Sequence, residues 1–467
     1  MLIYIMYFKI KILLFFLLSL KVYAWTPYSW KSKSKTIFVQ DYHNKKELKE
    51  VEDKLLSYSP LVTGHECDDL KSKIHLASKG KAFVLMGGDC AESFDTFTPN
   101  YVRDMYRLLL QMGIFLSYAN GIPTVKIARM AGQYAKPRSE NFETITNGTS
   151  IDFIESYKGD IINGYSRDER YPKADRMIEA YHQSTQTLNF LRSFSFGGYA
   201  SVHNIDNWKL ENYLINHDNP YFKKIKSSIR FMKGLDINID NPIFTQTKIF
   251  TGHEALLLQY ESPLTREDSV LKKYYGCSGN FLWLGERTRD LDSPHVEYLS
   301  GINNPIGIKI SSKCTNTELK KLIKKLNPNN DYGRITLITR FGKEQIENHL
   351  PRLIKVVKDN NFNVLWCCDP MHGNTKKLES GLKTRYFHDV WTEIKLFFDI
   401  HYENNTIPGG LHLEMTPNLV TECVDFDSIF IENMQDNYQS KCDPRLNGYQ
   451  CISIVSSLCD LIIKKYD

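Results

Sequence analysis

The chain has 467 residues, enough for one large domain or two ordinary ones. Its 42% hydrophobic and 24% charged residues are the composition of a soluble globular protein. A net charge of +5, from 59 basic and 54 acidic residues, is too small to argue for nucleic acid, and no basic stripe is interleaved with aromatics. Basic residues gathered at one site would still suit an anionic metabolite. The ten cysteines are irregularly spaced and form no C-x-x-C pair, so a disulfide framework is the weaker reading.

Residues 1–24 stand apart. Lys9 and Lys11 precede an apolar run over 12–20, and Val22-Tyr-Ala24 offers small residues at a cleavage position, the layout of a secretory signal peptide. The run is short of the ~20 apolar residues of a spanning helix. An uncleaved anchor and an upstream start are the alternatives. Residues 25–80 read as an N-terminal arm, with helix over 45–58 and 68–77.

Strand-like runs follow: Ala82-Phe-Val-Leu-Met86, Thr124-Val-Lys-Ile-Ala128, a weaker Tyr199-Ala-Ser-Val-His203, and Phe281-Leu-Trp-Leu284. The others are Ile306-Gly-Ile-Lys309, Ile335-Thr-Leu-Ile338, Val364-Leu-Trp-Cys-Cys368 and Gly410-Leu-His-Leu-Glu414. Apolar residues at helical spacing occupy 101–119, 176–194, 317–326, 343–359 and 387–402. Strands alternating with helices imply βα units and a parallel sheet. Eight such runs predict an α/β fold of the (β/α)8 TIM-barrel type, with an N-terminal extension and inserted helical elements. Residues 25–467 then form a single domain, with accessory insertions at about 140–275 on the barrel.

Active sites of such barrels lie at the C-terminal ends of the strands, and the unusual polar residues of this chain sit there. Cys90, His372 and Glu414, with Asp443 as a further candidate, form a mixed S, N and O donor set. That set suits a divalent transition ion acting as a Lewis acid. Arg129, Lys136, Arg138, Arg287, Lys309 and Arg340 form a second group. Convergent cations of this kind suit a ligand with more than one phosphate or carboxylate. Singly each is an ordinary surface charge, but Lys309 sits inside an apolar strand. Glu286 either orients a cation or a water, or forms a structural ion pair. Gly132 and Ala135 would let the backbone of the loop after Arg129 approach an anion closely. No Walker or G-x-G-x-x-G pattern accompanies it.

These phrases together resemble the type II (plant-type) 3-deoxy-D-arabino-heptulosonate 7-phosphate (DAHP) synthases. The resemblance rests on Gly87-Gly-Asp-Cys-Ala-Glu-Ser-Phe94, Ala131-Gly-Gln-Tyr-Ala-Lys-Pro-Arg-Ser139, His253-Glu-Ala-Leu-Leu-Leu258 and Phe281-Leu-Trp-Leu-Gly-Glu-Arg-Thr-Arg289. It continues in Ile335-Thr-Leu-Ile-Thr-Arg340, Cys368-Asp-Pro-Met-His-Gly-Asn-Thr375, Gly410-Leu-His-Leu-Glu-Met-Thr416 and Cys442-Asp-Pro-Arg-Leu-Asn447, and runs from Trp25 nearly to the C-terminus. It implies condensation of phosphoenolpyruvate with D-erythrose 4-phosphate, the entry to the shikimate pathway. It implies metal ligands at Cys90, His372, Glu414 and Asp443. Phosphoenolpyruvate contacts are implied at Arg129, Glu286, Arg287, Lys309 and Arg340, and an erythrose 4-phosphate loop at Lys136, Pro137, Arg138 and Ser139. Glu286, Lys309 and Arg129 are the expected catalytic residues. The expected metal is Mn2+, with Co2+, Fe2+, Zn2+ and Cd2+ as alternatives.

The family pattern is broken at Ala128, at Gly252 and over 424–440. Aromatic amino acids are expected feedback ligands, and a homo-oligomer, dimer or tetramer, is the expected assembly. The leader implies a plastid destination, or the cytoplasm if it is not functional. A condensing enzyme with another sugar acceptor and a non-catalytic relative are the competing readings. Cys442, beside a proposed ligand, is expected near Cys90, where oxidation would pair them.

Overall fold

The structure, a computed structural model, describes residues 25–466 apart from 36–37, 139, 141, 148–149, 209–218, 380 and 425–433. The leader at 1–24, Ser139 and most of the diverged segment at 424–440 therefore lie outside the described residues. Eight strands are β1 (Phe83–Gly88), β2 (Thr124–Arg129), β3 (Ile249–Glu254), β4 (Phe281–Leu284), β5 (Ile306–Ile310), β6 (Ile335–Thr339), β7 (Val364–Cys368) and β8 (Pro408–Glu414). They close into an all-parallel barrel in the order β1-β8-β7-β6-β5-β4-β3-β2. Gly88 pairs with both Arg129 and Glu414, so three chain segments far apart in sequence reach the rim at one level.

The third strand differs from the sequence expectation. Tyr199-Ala-Ser-Val-His203 leads into a 3-10 helix, Val202–Trp208, whose Trp208 indole N–H donates to Tyr199 O at 2.9 Å. The barrel strand is Ile249–Glu254, inside the stretch read as insertion. Its Gly252 looks like a strand breaker, yet it is there for close approach: a Cβ would lie 2.6 Å from Phe281 O on β4.

Local chemistry sets the helices. α1 (Lys45–Ser57) starts at Asn44, whose side chain accepts from Glu47 N, and α2 (Gly64–Ser78) starts at a Thr63–Glu66 capping box. α3 (Pro99–Asn120) has Pro in its first turn and ends at Gly121 in the left-handed region, φ 64°. Then come α4 (Arg176–Phe196), α5 (Pro220–Gly234), α6 (Pro294–Gly301), α7 (Asn316–Leu326), α8 (Ile346–Asp359), α9 (Phe387–Glu403) and α10 (Gly448–Tyr466).

Strand alternation divides the core. On β5, Ile306, Ile308 and Ile310 face the helices, while Gly307 faces inward, where a Cβ would meet Trp283 and Ile338 at 2.8 Å. Lys309 shares that inward face, one pleat nearer the mouth. Inside the barrel Val84, Met86, Ile127, Phe250, Phe281, Ile338 and Leu365 pack with Leu70, Ile74 and Ala77 of α2. α2 crosses the N-terminal end, its Lys71 carbonyl pressed on Gly333 just before β6. Each such burial stabilises by about 1.5–3 kcal/mol.

A separate core joins the arm to the loop after β2. Tyr42, Val51 and Leu55 pack in one cluster with Ala131, Tyr134 and Ala135 and with Met177 and Tyr181 of α4. The arm is anchored at Trp25, whose indole N–H donates to Glu297 O at 3.0 Å; a Cβ on Gly301 would overlap the ring.

Candidate active site

With α2 closing one end, the barrel opens at the C-terminal ends of its strands into a cavity of about 610 Å³. Arg129, Lys136, Arg138, Arg287, Lys309 and Arg340 all line it, together with Glu286, His372 and Asp443. Glu414 lies directly behind, fully buried.

His372, Glu414 and Asp443 bring one ligand atom each to within 4.8 Å of one another. Asp369 Oδ2 accepts from His372 Nδ1 at 2.8 Å, which turns the Nε2 lone pair of a neutral ring toward Glu414 Oε1 at 3.2 Å. Two lone pairs then face each other, an arrangement that calls for a cation or a ring proton between them. The Lys136 ammonium already brings positive charge there, 3.2 Å from Glu414 Oε1 and 2.8 Å from Asp443 Oδ2. Imidazole and carboxylate donors so arranged fit a divalent ion.

Burial alone would push the Glu414 carboxyl up, but His372, Lys136 and Arg385 outweigh it and hold it well below the usual range. Asp443 is likewise held low, burial being outweighed with Lys136 first among the causes. Cys90 stands beside this group. Its Sγ meets Ser440 Oγ at 3.4 Å, and a hydrogen bond from the free Cys442 thiol draws the Cys90 thiol below its usual range against the effect of burial.

The cations differ in how far they are engaged. Arg129 is buried: Nε donates to Asp89 O at 2.9 Å, Nη2 to Cys90 O at 3.0 Å and to Glu414 Oε1 at 3.2 Å, and Nη1 meets His412 Nε2 at 2.8 Å. It braces the β1 and β8 ends over the Trp283 ring. Lys309 pairs with Asp369; burial lowers it, with Asp369 opposing. Arg138 pairs with Glu143 at 2.6 Å. Arg287 is exposed, 3.5 Å from Pro137 O. Arg340 Nε is buried and meets no hydrogen-bond partner among the described residues, as is Glu286 Oε2. Glu286 Oε1 accepts from Ser311 Oγ at 2.6 Å and Arg289 Nη2 at 3.0 Å.

Several residues here had no role in the sequence reading. Asp369 holds both His372 and Lys309. Burial alone would raise its carboxyl, but its His372 and Lys309 partners hold it well below the usual range. Arg385, fully buried, donates to Glu414 Oε2 at 2.7 Å. Arg445 clamps Asp89 at 2.9 Å to Glu422 at 2.7 Å, tying the residue beside Cys90 to the loop of Asp443. Glu254 lines the cavity, its Oε1 without a hydrogen-bond partner among the described residues and its carboxyl raised by burial against the pull of Lys136 and Lys309. Asp369 follows β7 directly, so its position was a usable signal; Glu254 ends the strand that the sequence reading missed, and Arg385 and Arg445 carried no signal.

The model of the class-II DAHP synthetase family matches residues 25–459. The chain belongs to that family. Curated relatives agree over nearly their whole lengths with this DAHP synthetase family member. A phospho-2-dehydro-3-deoxyheptonate aldolase of Streptomyces coelicolor is 41% identical over 428 residues, 90% of this chain and 94% of the relative. One of Neurospora crassa is 38% identical over 458 residues, 94% of each chain. One of Mycolicibacterium smegmatis is 36% identical over 420 residues, 87% of this chain and 89% of the relative.

Proposed function

We propose that this family member condenses phosphoenolpyruvate with D-erythrose 4-phosphate to DAHP and phosphate, with a divalent metal ion, Mn2+ first. The observation that carries the reading is six cations converging on one barrel mouth around the His372–Glu414–Asp443 group. Held by those three with Cys90 as a fourth donor, the ion would polarise the aldehyde.

Lys309, Arg340 and Arg287 take the phosphate and carboxylate of phosphoenolpyruvate, with Arg129 fixing the site behind them. Lys136, Arg138 and Ser139 take the phosphate of erythrose 4-phosphate, Lys136 leaving its carboxylates for it. C3 of phosphoenolpyruvate bonds to the aldehyde carbon, water adds at C2, and the C2 phosphate leaves. Glu286, whose Oε2 has no hydrogen-bond partner among the described residues, orients that water and receives its proton. Holding two phosphates and a carboxylate against their repulsion is the main work of the cations.

An assay of phosphoenolpyruvate loss with erythrose 4-phosphate, with and without chelator, tests this: loss is expected only with metal, and no metal-dependent loss sinks it. Dimer or tetramer assembly is read by light scattering, and aromatic feedback by adding each amino acid to the assay. The same reading sends the chain to a plastid through residues 1–24; a reporter fused to residues 1–35 that stays diffuse in the cytosol counts against that.

A further inference from the structure

Glu393 on α9 does not line the cavity, yet it is fully buried beneath two of the turns that form it. Its Oε1 accepts the backbone N–H of Phe341 at 2.9 Å and of Gly342 at 3.0 Å, the two residues after Arg340. Its Oε2 accepts Asn374 Nδ2 at 2.8 Å, two residues after His372. Asn374 in turn donates to Pro370 O at 2.8 Å and accepts Lys343 N at 3.1 Å. One carboxylate thus staples the turn after β6 to the turn after β7.

The two turns have no room for another filling. A Cβ on Gly342 (φ 83°) would lie 2.7 Å from Gly373 O, and one on Gly373 would lie 2.2 Å from Gly342 N. The backbones touch, and Glu393 meets the amide N–H groups that this contact leaves over. Arg340 depends on such support. Its own backbone N–H bonds to Ile310 O at 2.9 Å, but its Nε meets no protein acceptor among the described residues. Its aim is therefore set by the turn rather than by side-chain partners.

We propose that Glu393 is a positioning residue that aims Arg340 at the anionic substrate through Oε1 and seats His372 for the metal through Oε2. This rests on the site reading above. The two arms are separable. Glu393→Gln keeps a carbonyl for Phe341 and Gly342 but turns an NH2 group on the Asn374 NH2. Glu393→Ala loses both.

The test is titration calorimetry of the full chain above pH 8, where Glu393 is the ionised acceptor of its three donors, with Mn2+ alone and with phosphoenolpyruvate alone, beside a melting curve. Glu393→Gln should weaken Mn2+ about tenfold and leave phosphoenolpyruvate within about twofold, whereas Glu393→Ala should weaken both about tenfold. KM for erythrose 4-phosphate, held by another loop, should stay within about twofold of wild type. A merely structural role would lower the melting temperature and shift all three constants together, which overturns the proposal, as does Mn2+ affinity unchanged in Glu393→Gln. If wild type binds phosphoenolpyruvate but never consumes it, the assigned reaction fails while the calorimetry still decides this one.

Discussion

The two ends of the barrel are built in opposite ways. At the bottom, Leu70, Ile74 and Ala77 of α2 meet Val84 and Leu365 with no solvent exposure beyond 1%. At the mouth, toward the C-terminal ends of the barrel strands, the inward residues become Lys309 on β5, Arg129 on β2 and Glu414 on β8. The dry end gives the charged end its strength, because charges above an apolar floor are poorly screened and must satisfy one another. Glu414 shows the result, with four cationic or imidazole partners on two oxygens.

Changes at the mouth should cost activity, and changes at the bottom should cost stability. The largest effect is expected from Lys309→Met. It removes a buried cation and strips Asp369 of its lysine partner, so kcat/KM should fall on the order of 10²–10³-fold. A fall below about tenfold would mean the mouth tolerates rearrangement. Leu70→Ala at the bottom should cost about 2–5 kcal/mol in denaturant unfolding while KM values hold. A changed KM with unchanged stability would erase the distinction.

A smaller effect separates two kinds of buried carboxylate by pH. Burial raises Glu393 to about 8 from 4.5, with the Gly342 N–H opposing. Between those values the folded chain keeps a proton that the unfolded chain has released. Stability should therefore fall as pH rises through that window, by up to about 1.4 kcal/mol per unit. Asp369, held low, has the opposite sign: its contribution is present above about 4 and is lost as pH falls below that. Unfolding measured from pH 5.5 to 8.5 should show a shallower fall in Glu393→Gln, and parallel curves would refute the assignment. The smallest effect is expected from Cys442→Ser. It should slow loss of activity under oxidant by removing the partner of Cys90; unchanged sensitivity would show that the contact is inert.

The barrel was legible because its strands are short apolar runs ended by polar residues, a local signal. The third strand escaped because Thr251-Gly252 breaks the apolar run, and Gly252 serves a neighbour's carbonyl that the sequence does not reveal. The cavity cations were legible for the same reason as the strands: each sits at a strand end or in the loop just past it. What supports them was not. Arg385 reaches Glu414 across 29 positions and Arg445 reaches Asp89 across 356, so only closure of the barrel makes them neighbours. Glu393 reads as one more carboxylate on an amphipathic helix.

Trp25 sets a boundary for shortening the chain from its N-terminal side. Its ring fills a slot that Gly301 leaves open on α6, and α6 carries the Glu297 carbonyl it binds. An N-terminal truncation that takes Trp25 would therefore unplug the slot and loosen the arm that packs against the loop after β2. For expression, an affinity tag belongs ahead of this tryptophan and never in its place.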